Sequence, residues 1–81
     1  MSMSPGIGLM DRRLKNEKDA ISLATSGILK EYKIEAKLIE ILETKYDDNL
    51  GDWYVALGWK DNRVIIKMDS VLAKITEIKV I

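Results

Sequence analysis

Apolar residues in the first half of the chain recur every three or four positions, which predicts one face of a helix. The helix is expected to start at Asn16, because Asn16 followed by Asp19 resembles the capping pattern of a helix N-terminus. Its buried face consists of Ala20, Ile21, Ala24, Ile28, Leu29 and Tyr32. Gly27 in the helix interior lowers helix stability by about 1 kcal/mol relative to alanine. We therefore expect a packing reason for it, namely a sheet that lies close against the helix at this point.

The next segment, residues 34–44, is ambiguous from its pattern. Its residue types favour a helix, and its apolar and polar residues alternate cleanly only from Ile34 to Leu38. A strand would help to cover the remaining apolar surface, and tertiary context often overrides propensity. We therefore predict a strand over residues 34–44, with a second helix as the alternative.

Strict alternation from Trp53 to Asp69 predicts a β-hairpin. Asp61 and Asn62 are expected to form its two-residue loop, a type I′ turn, because both residue types tolerate a positive φ. This loop sends large apolar side chains of both strands to one face, with Trp59 opposite Val64, Leu57 opposite Ile66 and Val55 opposite Met68. A further strand is predicted from Lys74 to Val80.

These elements predict an α+β fold, with one N-terminal helix packed on a small antiparallel sheet of three to four strands. The alternative is two helices followed by a three-stranded meander. Residues 1–15 show no sustained period and are predicted to be a flexible N-terminal arm, which includes the basic residues Arg12, Arg13 and Lys15. Residues 16–81 would then form a single domain.

Composition removes several classes of chemistry. The 81 residues include no Cys and no His, which excludes disulfides, thiolate nucleophiles, imidazole bases and sulfur-ligated metal sites. The 13 basic and 13 acidic side chains balance, so the charge typical of a nucleic-acid-binding protein is missing. No enzyme signature is found, and we predict a protein that is not an enzyme and needs no cofactor.

The sequence also bears on location. No run of about 18 apolar residues is present, so no membrane-spanning helix is predicted. The first ten residues lack the basic and apolar regions of a secretory signal. A cytoplasmic protein is the expectation, while an extracellular one stays open because a removed leader would leave the same sequence.

The hairpin's second face is shallow and mixed, as expected for a surface that is either solvated or covered by a partner. The candidate interaction residues are Tyr54, Ala56, Gly58, Trp59 and Ile65. A small domain without disulfides gains stability from association, and zero net charge is compatible with it. We therefore expect a protein partner, most simply a second copy of the chain in a homodimer.

An acidic loop offers a weaker alternative. Asp47, Asp48 and Asp52 could supply oxygen ligands to a cation such as Ca²⁺, although their spacing does not fit an EF-hand. Trp53 and Trp59 share a strand face and could border a small-ligand site together with this loop. The structural interpretation is a solvated loop beside two core tryptophans, and no metal site is predicted.

Several segments resemble the PepSY domain, a small module of peptidase propeptides and of stand-alone bacterial and archaeal proteins. The resemblance covers roughly residues 17–80 and rests on Asp19-Ala20-Ile21, on residues 53–57, on the hairpin and on residues 68–75. Leu72 and Ala73 stand where the family has Thr and Gly. Because alanine adopts a positive φ at a cost, we expect either that the turn before the last strand differs from the family's or that the resemblance is only architectural.

The resemblance implies a helix packed on an antiparallel sheet and a non-catalytic role that binds or restrains a protein. The sequence therefore predicts a non-catalytic protein-interaction module that self-associates. A module that binds a small ligand or metal ion and an inhibitor-like regulator of a peptidase are the alternatives.

Overall fold

The structure is a computed structural model that describes residues 13–81. A helix, α1 (Glu17–Tyr32), precedes a short 3-10 helix (Ala36–Leu38) and four strands: β1 (Glu40–Asp47), β2 (Asp52–Trp59), β3 (Asn62–Asp69) and β4 (Lys74–Val80). The strands pair in the order β1-β2-β3-β4, and every pair is antiparallel. The predicted α+β fold, one helix on an antiparallel sheet, is confirmed.

Helix α1 begins as its sequence predicts. The Asn16 side chain accepts a hydrogen bond from the backbone N–H of Asp19 at 2.8 Å, and Glu17 and Asp19 place negative charge at the positive end of the helix dipole. Ala20, Ala24 and Ile28 are fully buried against the sheet. The two alanines let the helix backbone approach the strands closely.

Gly27 has the packing reason that the sequence indicated. A Cβ atom at this position would meet the end of the Ile75 side chain, which reaches α1 from the start of β4. The expected close contact between the helix and the sheet is therefore confirmed, and a side chain at position 27 would require Ile75 to move.

Lys33, at the C-terminal end of α1, adopts an unfavourable backbone conformation that a glycine would relieve. Lys33 caps the helix with φ 53, in the left-handed region, and its backbone N–H donates to the Leu29 carbonyl at 3.0 Å. Lys33→Gly should raise the free energy of unfolding by about 0.5 to 1 kcal/mol, measured by urea denaturation, because glycine adopts this φ without strain.

The matched control is Lys30→Gly, one turn earlier, on the exposed side of the helix interior. There glycine should lower the free energy of unfolding by about 1 kcal/mol, because it gains nothing in the folded state and has more freedom in the unfolded chain. A loss of stability in both variants would contradict the assigned cap.

The ambiguous segment is partly a strand. The strand prediction is confirmed for residues 40–44, but β1 begins at Glu40 and continues to Asp47, and residues 34–39 do not belong to it. This boundary was not predicted because Ile34 and Ile39 are apolar and half-buried against the core, as strand residues would be, although they lie in the connection between helix and sheet. The pairing with β2 also shifts at Leu42, which lies in a bulge.

The hairpin forms with a different loop. Trp59 pairs with Asn62, so the loop residues are Lys60 and Asp61, and the predicted Asp61-Asn62 loop is wrong by one residue. Lys60 has φ 54 and Asp61 has no positive φ, whereas a type I′ turn requires both. The observed register places Leu57 opposite Val64, Val55 opposite Ile66 and Trp53 opposite Met68.

This register is displaced by two residues from the predicted one, which leaves every side chain on its predicted face. In the observed register the pairing extends to Asp52 and Asp69, and both strands have eight paired residues. The last strand, Lys74–Val80, has its predicted bounds.

The turns before β2 and β4 share one construction. The side chain of Asp47 accepts from the N–H groups of Asn49 and Leu50, and that of Asp69 accepts from those of Val71 and Leu72, at 2.8 to 3.3 Å. Each turn then ends on a positive φ, 73 at Gly51 and 54 at Ala73. Ala73 therefore adopts the positive φ that alanine takes at a cost.

The core lies between α1 and one face of the sheet. It contains Leu14, Ala20, Ala24, Ile28, Trp53, Val55, Leu57, Trp59, Val64, Ile66 and Met68. Leu14 belongs to the predicted N-terminal arm, but it is buried and its N–H donates to the Ser70 carbonyl at 2.9 Å. The domain therefore extends to Leu14 and does not begin at Asn16; residues 1–12 of the predicted arm lie outside the described residues.

Candidate functional site

The candidate site is the sheet face opposite α1, which we call the open face. Buried side chains alternate along β2 and β3 with half-buried ones, so the helix-covered face and the open face are clearly separated. Within residues 13–81, the helix that packs on the four strands lies on the other face.

A shallow depression of about 470 Å³ lies in the open face, along β1 and β2. Its apolar floor is formed by Tyr54, Ala56 and Ile65, and Ala56 pairs directly with Ile65 across the two central strands. Three charged residues of β1 line its side: Glu43, Lys45 and Asp47. A small apolar centre with a charged rim is the composition typical of protein-binding surfaces.

The structure brings together three of the five predicted interaction residues, Tyr54, Ala56 and Ile65. Gly58 lies on the same face but is buried, since a Cβ atom there would be 3.4 Å from the Leu42 side chain. Trp59 points to the helix-covered face, where it is 6% exposed and its ring centroid is 5.1 Å from that of Tyr32. The structure therefore does not place Trp59 with the other four residues.

Sequence reasoning missed the charged residues of the two outer strands. Cross-strand pairing arranges most of the open face in three rows that run from β1 to β4: Glu43-Ala56-Ile65-Lys79, Lys45-Tyr54-Lys67-Glu77 and Asp47-Asp52-Asp69-Lys74. A fourth row, Glu40-Gly58-Arg63, crosses β1 to β3 only. Alternation within each strand was visible in the sequence, but the rows depend on register. In the predicted hairpin, whose register differs by two residues, different charged residues would lie opposite each other.

The acidic residues proposed as weak cation ligands are not gathered around one point. The Asp47 side chain accepts two backbone N–H groups of its own turn, Asp48 is exposed, and the Asp52 carboxylate lies 3.7 Å from the Lys67 ammonium group. In the described part of the chain, no three acidic side chains form a group that could hold a metal ion.

The two tryptophans proposed to border a ligand site are both core residues, each 6% exposed. Trp53 donates its indole N–H to the Leu14 carbonyl at 2.9 Å and packs against Tyr46 with a centroid distance of 4.9 Å. Both indoles therefore pack between the sheet and the segments that cover it.

No protein-family model matches the chain, and no curated protein or solved structure matches it either. Neither helix of residues 13–81 has the length and apolar character needed to cross a bilayer.

Proposed function

We propose that this protein is a non-catalytic protein-interaction module that associates with a second copy of itself through the open face. The observation that carries the proposal is the half-buried apolar floor of Tyr54, Ala56 and Ile65 at the centre of a sheet whose other face carries the core under α1. Apolar side chains at the centre of a sheet are stabilised when a second surface covers them.

The size of the domain supports this proposal. A domain of about 80 residues buries only about 60% of the surface that its unfolded chain exposes, so its single core provides limited stability. Covering the open face with a second copy would bury the Ile65 side chain and add a second apolar layer. This association needs no disulfide and no metal ion.

Ile65→Glu is the direct test. A carboxylate at the centre of the apolar floor should weaken self-association at least about 10-fold, because the charge would have to be desolvated in the complex. Sedimentation equilibrium over low to high micromolar concentrations measures the change. The matched control is Leu50→Glu, which adds the same charge at a turn residue that is 65% exposed and should leave association unchanged.

Two results would contradict the proposal. An unmodified protein that stays monomeric at high micromolar concentration would remove self-association. Equal association of the unmodified protein and Ile65→Glu would show that the copies meet elsewhere, for instance by pairing of the edge strands β1 and β4.

The other sequence hypotheses stay predictions. A peptidase-regulatory role rests on the resemblance to PepSY domains, and a small-ligand role rests on the tryptophans and the acidic turn. The cytoplasmic location is likewise a prediction from the sequence.

A further inference from the structure

The outer strands of the open face carry charges in opposite order. In the three rows that run from β1 to β4, the side chains of β1 are acidic, basic and acidic, and those of β4 are basic, acidic and basic. The paired positions are Glu43 with Lys79, Lys45 with Glu77, and Asp47 with Lys74. Each row therefore has opposite charges at its two ends.

We infer that two copies pack open face to open face about a two-fold axis that runs parallel to the strands, between β2 and β3. This inference rests on the proposed function and specifies its geometry. Such an axis places β1 of one copy over β4 of the other within the same row. Every charged end of a row then faces its opposite in the second copy, which gives six ion pairs in the dimer.

 The central strands are also compatible with this axis. Ala56 would face Ile65 of the second copy, so that the apolar floors of the two copies meet. Tyr54 would face Lys67 of the second copy, where a ring and an ammonium group attract each other. The unfavourable contact is Asp52 with Asp69 of the second copy, which occurs twice in the dimer, but Lys67 already lies 3.7 Å from Asp52 and offsets part of its charge.

A second axis, perpendicular to the strands and between the first two rows, is less favourable. It would place Glu43 over Lys45 of the second copy, and Glu77 over Lys79, which gives four ion pairs. It would also place the Ile65 side chain against the Lys67 of the second copy, so the apolar floors would no longer meet. The charge pattern and the apolar centre together favour the axis parallel to the strands.

The available area predicts a weak dimer. Four strands spaced about 4.8 Å apart, with eight residues at about 3.3 Å each, present a face of about 500 Å² per copy. The total of about 1,000 Å² lies at the lower limit of specific interfaces, so we expect a dissociation constant in the micromolar range. At this affinity a few charge pairs decide whether the dimer forms.

Charge reversal at one row tests the axis. Glu43→Lys and Lys79→Glu should each weaken self-association about 30-fold, because either change makes two symmetry-related attractive pairs repulsive. An equimolar mixture of the two variants should associate within about threefold of the unmodified protein, since both pairs are again opposite in charge. Sedimentation velocity of each variant and of the mixture measures this.

Two controls make the same charge changes on the exposed surface of α1: Glu31→Lys and Lys18→Glu. Both should associate like the unmodified protein, and circular dichroism should show that all four variants are folded.

The outcomes separate this inference from the proposed function. A mixture that stays as weak as the single variants, together with loss of association in Ile65→Glu, would overturn the parallel axis and leave the open face as the binding surface. Association that is insensitive to Ile65→Glu would overturn both.

Discussion

Ile66→Ala is expected to lower the free energy of unfolding by about 3 to 4 kcal/mol. Ile66 is fully buried on β3, where it is paired with Val55 and Ile78 under α1. Truncation removes apolar contacts and leaves a cavity that the surrounding strands cannot close. Urea denaturation followed by circular dichroism measures the loss, at a protein concentration low enough to keep the chain monomeric.

The neighbouring residue provides the control, because Ile65→Ala makes the same chemical change on the opposite face. Ile65 is half-buried on the open face, so its truncation in the monomer should cost about 1 kcal/mol or less. Equal losses at both positions would show that the open face is already covered in the monomer, and this would contradict the two-faced description of the sheet.

For α1 and the hairpin, the sequence was sufficient to predict the elements and the faces of their side chains. Alternation through the hairpin and the three-to-four spacing in α1 depend on local geometry, so they indicate which side chains are buried without knowledge of the partners. Ile65 and Ile66 were assigned to opposite faces in this way. The close packing at Gly27 followed from its position inside a helix.

The register could not be predicted in the same way. Displacing the hairpin by two residues keeps every face, so the apolar pattern does not distinguish the loop at Lys60 and Asp61 from the predicted one. Because the charged rows of the open face depend on that register, the candidate dimer surface could not be read from the sequence alone.

Leu14 was missed for a different reason. It is a single apolar residue among basic neighbours and belongs to no periodic pattern, so the sequence gives no signal that it is buried. Its place in the core depends on two contacts distant along the chain, with Ser70 and with Trp53. These contacts hold the N-terminal segment against the turn before β4.

The second large effect is expected at Trp53, which connects this segment to the sheet. Trp53→Phe should lower the free energy of unfolding by about 3 kcal/mol, because the indole donor is lost and the smaller ring leaves a cavity. The Leu14 carbonyl, which accepts the indole N–H at 2.9 Å, would be left buried without that donor. Urea denaturation measures the change in stability.

Trp59→Phe is the matched control. Trp59 has the same exposed fraction, 6%, and packs against Tyr32, but its indole N–H donates no hydrogen bond within residues 13–81. Its replacement should lower the free energy of unfolding by about 1 kcal/mol, because only the apolar contacts of the larger ring are lost. The difference of about 2 kcal/mol between the two variants would then measure the loss of the hydrogen bond and the unsatisfied carbonyl.

Amide hydrogen exchange adds a local readout to this comparison. The Leu14 N–H donates to the Ser70 carbonyl, so its protection should fall in Trp53→Phe more than the overall loss of stability requires, while Trp59→Phe should leave it protected. Equal destabilisation in both variants with unchanged protection at Leu14 would show that the indole does not anchor the N-terminal segment. The domain would then be held at Leu14 by side-chain burial alone.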